Sequence, residues 1–159
     1  MTALTSPVAG CTCARLRRLT RRMTALYDRA LAPAGLKLTQ YSLLTTLHRA
    51  AGADGLPVAA LADALDMDRT TLTRNLRPLL AQRLVALGAD AADGRVRRVV
   101  LRPEGATALD AAKPFWRAAQ VQVDAVIGTA DVRALHDWLD RITPAFRVDG
   151  AERAEEIAA

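Results

Sequence analysis

The chain has 159 residues, 51% of them hydrophobic and a net charge of +5, which suits one globular domain or one domain with an attached assembly module. Its longest apolar stretches fall far short of the roughly 20 residues that span a bilayer, and its start lacks a secretion-signal pattern. A Cys-x-Cys pair is a poor disulfide framework, so we expect a cytoplasmic protein rather than a membrane-spanning or disulfide-rich secreted one.

Charge is distributed unevenly along the chain. Residues 1–40 carry seven Lys and Arg against one acid, and residues 69–102 carry eight against two. Residues 41–68 and 103–159 are acidic, with one base against four acids and six against ten. Two basic segments suit a polyanionic partner held by part of the molecule, although a solvated basic face has the same charge pattern.

The first half of the chain predicts four helices. An apolar stripe at steps of three and four marks a long amphipathic helix from residue 11 to about 32, which Pro33 ends. Thr39 can cap a second helix, and Pro57 suits the first turn of a short third helix. After a brief turn, Asp68 can cap a fourth helix, which is rich in Thr and Arg.

A short helix, a brief turn and a helix rich in Thr and Arg are typical of a helix-turn-helix, although plain helical hairpins share this pattern. Two β-prone runs follow, residues 84–87 and 96–101, around a turn at residues 91–94 (Ala-Ala-Asp-Gly), and they indicate a hairpin. A helix-turn-helix followed by a hairpin is a winged helix. Residues 39–102 are therefore predicted to form a winged helix-turn-helix DNA-binding domain.

The remaining chain predicts two more helices. Pro103 starts the first, Pro114 should bend it, and it runs to about Ile127. Gly128 stops this helix, and Asp131 can cap a last helix with apolar residues at heptad steps.

The terminal segments, residues 1–38 and 103–159, carry apolar stripes that a winged helix does not need. The simplest partner for them is the same helices of a second copy, so both segments are predicted to be dimerisation helices. The expected fold is mainly α with a small β-hairpin wing. A symmetric homodimer would place two recognition helices about 34–36 Å apart on a palindromic site.

In their order and spacing, these motifs resemble the MarR family of bacterial transcriptional regulators over almost the whole chain. The motifs are residues 38–44 (Leu-Thr-Gln-Tyr-Ser-Leu-Leu), 61–65 (Leu-Ala-Asp-Ala-Leu), 69–74 (Arg-Thr-Thr-Leu-Thr-Arg), Asp93-x-Arg95, Val99-x-Leu101 and Glu104-Gly105. The resemblance implies a homodimer with two winged helices on double-stranded DNA, and repression relieved by a small ligand or by oxidation. The sequence departs from the family at Arg83, where a Gly usually precedes the first wing strand, and at Arg102, where a Thr often stands.

The first turns of the fourth helix are predicted to enter the major groove. Arg74 is the first candidate for a bidentate contact to guanine, while Arg69 and Arg77 suit phosphates. The Thr hydroxyls can meet bases or phosphates, although exposed helix residues without a DNA role would look similar. The candidate contacts on this helix are Arg69, Thr70, Thr71, Thr73, Arg74 and Arg77.

Four wing residues are also candidate DNA contacts. Arg95 is best placed for a narrow minor groove. The resemblance implies that Asp93 pairs with Arg95 and fixes its aim, and Asp93 could also form an Asx turn with Gly94. Arg97 and Arg98 alternate faces of the strand, so we expect one of them to face DNA well.

A cleft where the first helix, the second helix and the Pro114 helix meet is a candidate effector site. The resemblance, together with chemistry suited to an aromatic acid, indicates five ligand-binding candidates: Arg17, Arg18, Tyr41, His48 and Trp116. Trp116 lies on an apolar stripe, so a place in the core explains it equally well.

Cys13 and Tyr27 are spaced like the sensing cysteine and one partner tyrosine of hydroperoxide-responsive relatives. A thiol near a helix start among arginines should be reactive, although the second tyrosine of those relatives is Arg17 here. Cys11 adds a resolving thiol, a bridge between two subunits, or nothing. Alternatively, both cysteines are small buried apolar residues, or they bind a metal, although they show no ligand spacing with His48 or His136.

The leading interpretation is a homodimeric DNA-binding regulator, a repressor released from a palindromic operator by a small ligand such as an aromatic acid. The alternatives are a redox-sensing repressor, a thiol enzyme using Cys13, and a helical interaction protein with no role on nucleic acid. The sequence shows no general base near Cys13 and no Gly-rich phosphate loop, so neither an enzyme nor a cofactor is expected.

Overall fold

The computed structural model of the chain describes residues 10–50 and 54–146. Within these ranges there are six α-helices and three short β-strands, besides one-turn 3-10 helices at Ala32–Ala34 and Thr143–Phe146. In chain order the elements are α1 (Thr12–Leu31), α2 (Leu38–Ala50), β1 (Leu56–Pro57), α3 (Val58–Ala64), α4 (Arg69–Ala81), β2 (Val85–Ala89), β3 (Arg97–Leu101), α5 (Pro103–Ile127) and α6 (Thr129–Ile142).

The predicted order of helices and the predicted hairpin are confirmed, and the sheet has one strand more than the sequence indicated. β3 is the central strand, with β2 antiparallel on one side and β1 antiparallel on the other. Val85 pairs with Leu101 and Ala89 with Arg97, while Leu56 of β1 pairs with Val99. β1 was not predicted because two residues are too few to show the alternation that marks a strand.

The chain divides into two compact units, Met1–Ala119 and Gln120–Ala159. The core of the first unit consists of leucines at helical spacing on α2, α3 and α4, closed by β3 and the start of α5. Each fully buried Leu stabilises the fold by about 1.5–3 kcal/mol relative to an exposed one. The largest fully buried side chains are Leu31, Leu43, Leu44, Leu47, Leu61, Leu72, Leu79, Val99 and Leu109.

The second unit contains the end of α5 and α6. Val123 and Val132 are buried, and the apolar residues at heptad steps on α6 are half-buried as far as Ile142. Phe146, which continues that step, is 77% exposed. No helix in the ranges that the structure describes combines the length and apolarity of a membrane span.

The predicted caps differ in outcome. Asp68 caps α4, as the sequence indicated: its two carboxylate oxygens accept the main-chain N–H of Thr71 at 2.8 Å and the Thr71 hydroxyl at 2.7 Å. The predicted cap at Asp131 is wrong, because Gly128, with φ 95°, is the N-cap of α6 and Asp131 lies in its first turn.

The predicted start of α2 is wrong by two residues and that of α3 by one. Thr39 lies inside α2, and the carboxylate of Asp28 accepts the N–H of Leu38 at 2.7 Å. Asp28 is ten residues earlier, on α1, so only tertiary structure brings it to this helix end. Pro57 stands just before α3 with an extended ψ of 141° because it also ends β1.

Candidate nucleic-acid interface

The exposed face of α4 forms one wall of a groove. Leu72, Leu76 and Leu79 bury the opposite face in the core, which turns the Thr and Arg side chains outward. We call this the recognition groove. It has a volume of about 750 Å³ and is lined by Val58, Arg69, Thr70, Thr73, Arg74, Leu76, Arg77, Leu80, Leu87 and Arg97.

The three threonines predicted to contact DNA have different surroundings. The Thr71 hydroxyl donates to Asp68, and the Thr73 hydroxyl donates to the carbonyl oxygen of Arg69 at 2.8 Å. The hydroxyl of Thr70 is exposed and has no hydrogen-bond partner among the described residues. Thr71 therefore has a structural role as part of the helix cap, and Thr70 has the more available hydroxyl.

A second, smaller groove joins the recognition groove to the wing. It has a volume of about 380 Å³, and Arg95 lines it. Arg69 and Arg97 line both grooves, so arginines connect the recognition groove of α4 with the groove beside the wing. The remaining lining residues come from β1, α3, the turn after α3 and the residue before β3: Pro57, Val58, Ala59, Ala62, Asp63, Met67 and Val96.

Two aspartates shape the turn between β2 and β3. The carboxylate of Asp90 accepts the main-chain N–H groups of Ala92 and Asp93 at 2.8 and 3.2 Å. Asp93 in turn accepts the main-chain N–H of Arg95 at 2.9 Å, which is the geometry of an Asx turn. Among the described residues Asp93 forms no ion pair with the Arg95 guanidinium, so the pairing implied by the resemblance is not observed.

The environment of Arg98 differs from the one expected for a DNA contact. Its guanidinium donates to the Asp90 carboxylate at 2.6 Å and to the carbonyl oxygens of Asp54 and Gly55 at 2.8 and 2.7 Å. Hydrogen bonds from the N–H of Ala92 and, next, from Arg98 lower the pKa of Asp90 below 3.8. The Arg98 guanidinium is thus engaged within the protein, whereas its neighbour Arg97, on the other face of β3, is exposed.

Sequence reasoning missed the apolar part of the recognition groove. Val58, Leu76 and Leu80 belong to the helix-turn-helix, and Leu87 of β2 is 42% exposed beside them. Alternation along β2, with Val85 buried and Leu87 outward, was the available signal. Of these side chains the exposed Leu87 suits apolar contact with a thymine methyl group, whereas Leu76 is buried at the floor of the groove.

The predicted effector residues are only partly brought together. The rings of Tyr41 and Trp116 stack with centroids 5.9 Å apart and planes 12° apart, and Tyr27 approaches Trp116 at 6.5 Å. The other three candidates, Arg17, Arg18 and His48, are exposed. Among the described residues no hydrogen bond or ion pair joins them to the aromatic pair.

Cys11 and Cys13 are free and exposed at the start of α1. The alternative that they are small buried apolar residues is therefore wrong for the single subunit. Tyr27 is buried fourteen residues further along the same helix, about 21 Å away at 1.5 Å per residue, so it cannot meet Cys13 within one chain. In residues 10–50 and 54–146, no group of three or more His, Cys, Asp or Glu side chains is placed to hold a metal ion.

A helix-turn-helix made by α3 and α4, with an antiparallel hairpin beside it and arginines on both, defines a winged-helix DNA-binding protein. The sequence profile of the MarR family matches residues 34–96. No curated protein sequence matches the chain.

Solved structures give the same result. The transcriptional regulator MosR of M. tuberculosis is 36% identical, with 87% of this chain and 98% of MosR covered and a TM-score of 0.73. Its structure in complex with DNA is 37% identical, with 87% and 99% covered and a TM-score of 0.73. A probable transcriptional regulator from Pseudomonas aeruginosa is 26% identical, with 85% and 98% covered and a TM-score of 0.76. The chain belongs to the MarR family of DNA-binding transcriptional regulators, whose members are not enzymes.

Proposed function

We propose that the chain is a homodimeric repressor that binds a palindromic operator in the cytoplasm and is released from it by a small ligand. The observation that carries this proposal is the recognition groove. There Arg69, Arg74 and Arg77 of α4 face the same space as Arg97 of the wing. Converging guanidiniums beside an exposed helix face suit the phosphates and base edges of duplex DNA.

In this proposal the first two turns of α4 enter the major groove. Arg74 makes a bidentate contact to guanine, which discriminates against other bases by about 1–3 kcal/mol. Thr70 supplies a hydroxyl and a methyl group to neighbouring bases, and Arg69 and Arg77 bind phosphates. Arg95 enters the adjacent minor groove, and Arg97 binds the backbone between the two grooves.

The homodimer is supported by the apolar stripe of α1. Leu16 and Leu19 are 41% and 47% exposed in the single subunit, although most of the neighbouring residues on this helix are arginines. A second copy would cover this stripe and relate two α4 helices by a twofold axis. Their separation would then match one helical turn of DNA, about 34–36 Å.

The site proposed for the ligand is centred on Tyr41 and Trp116. A stacked aromatic pair offers a flat apolar surface to an aromatic acid, and an arginine can bind its carboxylate through two hydrogen bonds. Arg17 and Arg18 are the arginines proposed for that contact, with His48 at the exposed end of α2. Ligand binding that favours one spacing of the two α4 helices would lower the affinity for DNA.

The test begins with a duplex selected by the wild-type protein from a randomised pool of about 30 base pairs, and affinity is then measured at two salt concentrations. Arg74→Ala is expected to weaken binding about five- to 150-fold and relax selection at one base pair. Arg95→Ala should also weaken binding and lower the salt slope by about one. Arg117→Ala, an exposed arginine of α5, is the matched control and should bind like wild type. If both groove variants bound normally, these assignments would be wrong.

The second candidate trigger is thiol oxidation, which the exposure of both free cysteines favours. Oxidation of Cys13 would then release DNA, with Cys11 as a resolving thiol and Tyr27 contributed by the second subunit. Peroxide titration of the DNA complex compares wild type, Cys13→Ser and Cys11→Ser. Release of wild type but not of Cys13→Ser supports redox control, whereas equal insensitivity leaves the small ligand as the trigger.

A further inference from the structure

Arg98 connects the wing to the segment that leads into the helix-turn-helix. Each of its three guanidinium nitrogens has an acceptor: the carbonyl oxygen of Asp54 at 2.8 Å, that of Gly55 at 2.7 Å, and the Asp90 carboxylate at 2.6 Å. The side chains of Arg98 and Asp90 are only 23% and 20% exposed. A guanidinium is planar and can donate to three acceptors that lie in its plane. A lysine ammonium lacks this planar arrangement of donors and would satisfy the three acceptors less well.

Gly55 shows how closely this segment packs on the central strand. Its φ is +68°, and a Cβ at this position would lie 2.2 Å from the carbonyl oxygen of Val99 on β3. Only a glycine permits that approach. The close packing brings two consecutive carbonyl groups to the place where Arg98, the neighbour of Val99, can bind both.

The network continues from Arg98 to the tip of the wing. Asp90, held by Arg98, accepts the main-chain N–H groups of Ala92 and Asp93. Asp93 then accepts the N–H of Arg95. A continuous series of hydrogen bonds thus runs from the start of the helix-turn-helix to the backbone of the residue proposed to enter the minor groove.

We propose that Arg98 is a positioning residue: it fixes Arg95 relative to α4 and does not itself touch DNA. This inference rests on the proposed function and adds to it a residue that acts only through another. A wing held in place before DNA arrives loses less conformational freedom on binding than a loose one. Loss of Arg98 should therefore weaken DNA binding through Arg95 alone.

A double-mutant cycle on the full-length protein tests this, with the selected duplex as the probe. Arg98→Gln is expected to weaken binding about tenfold in the wild-type background and to leave the affinity of Arg95→Ala unchanged. Arg98→Lys keeps the charge but should lose nearly as much. Arg102→Gln removes the same charge from an arginine outside the network, paired with Glu104, and should bind like wild type.

Two results would overturn the proposal. One is that Arg98→Gln binds as wild type does. The other is a further loss in the Arg95→Ala background, with a salt slope lower by about one, because that is the signature of a direct phosphate contact. If circular dichroism shows Arg98→Gln unfolded, Asp90→Asn replaces it in the same cycle. If the wild-type protein did not bind DNA, both the proposed function and the role of Arg98 would be wrong. If wild type bound normally but the losses of affinity from Arg98→Gln and Arg95→Ala were additive, only the role of Arg98 would be wrong.

Discussion

At the residue scale, the backbone that leads into the wing is set by a residue in an unusual conformation. Arg83 has a φ of 57°, in the left-handed region, one residue after α4 has ended at its C-cap Gln82. A side chain with a Cβ adopts this conformation at a cost of about 1–2 kcal/mol. The family usually has glycine at this position, and glycine adopts the left-handed conformation observed here without a steric cost.

Replacing Arg83 by glycine should therefore stabilise the protein. We expect Arg83→Gly to raise the free energy of unfolding by about 1 kcal/mol, measured as a shift in the urea midpoint at constant slope. Gln82→Gly is the matched control. Gln82 has a φ of −82°, so glycine there relieves no strain and should be neutral or destabilising. Equal effects of the two substitutions would show that the left-handed conformation is not strained.

A second residue-scale prediction concerns Asp90. Its folded-state pKa is below 3.8, chiefly because of the N–H of Ala92 and then the Arg98 guanidinium. In Arg98→Gln the pKa, followed by carboxyl carbon NMR, should rise but stay below 3.8, because the larger contribution from Ala92 remains.

The lowered pKa of Asp90 makes the stability of the fold depend on pH. A depressed pKa means that the ionised carboxylate stabilises the fold at pH values above the unfolded pKa, near 3.8, and that this stabilisation is lost as pH falls through the lower folded pKa. As the pH is lowered, the turn between β2 and β3 should therefore lose its stabilisation by Asp90 at a lower pH in the wild-type protein than in Arg98→Gln. A pKa that did not move in the variant would contradict the contact between Arg98 and Asp90.

At the scale of elements, α4 depends on its start. The Asp68 carboxylate takes two hydrogen bonds from Thr71, one from the main chain and one from the hydroxyl, at the end of the helix that enters the groove. This cap fixes where the first turn begins, and therefore where Thr70 and Arg74 point.

Asp68→Ala should destabilise the protein by about 1 kcal/mol, because the N–H of Thr71 loses its acceptor. Asp68→Ser can still cap and should recover most of that stability in thermal or urea unfolding. Asp63→Ala, an exposed aspartate on α3, is the control and should change stability little. Equal stability of Asp68→Ala and wild type would show that the cap contributes nothing.

At the scale of the whole molecule, the proposed homodimer rests on an apolar stripe that the single subunit leaves in water. Leu16→Asp combined with Leu19→Asp should raise the dimer dissociation constant at least tenfold, measured by sedimentation equilibrium, and should weaken operator binding with it. The helix itself should remain folded, because both leucines are exposed in the subunit.

The control for this substitution is Leu87→Asp. Leu87 is 42% exposed, close to the 41% and 47% of Leu16 and Leu19, but it lies on the wing. It should leave the dissociation constant unchanged. If the wild-type protein sedimented as a single subunit at micromolar concentration, the homodimer and the palindromic operator would both be wrong.

The sequence by itself determined the order of helices, the hairpin and the cap at Asp68, because each is encoded by neighbours a few residues apart. Hydrophobic periodicity and hydrogen bonds between residues i and i+3 are visible in the chain as written. It also placed Arg69, Arg74 and Arg77 on one exposed face, since helical spacing decides which residues share a side.

Only the tertiary structure decided which side chains meet across the chain. Arg98 donates hydrogen bonds to the carbonyl oxygens of Asp54 and Gly55, at sequence separations of 44 and 43. Asp28 on α1 accepts the N–H of Leu38, ten residues later, at the start of α2. The stacking of Tyr41 on Trp116 joins α2 to α5, two helices far apart in the sequence. No local pattern encodes such contacts, because their partners are chosen by packing of the whole core.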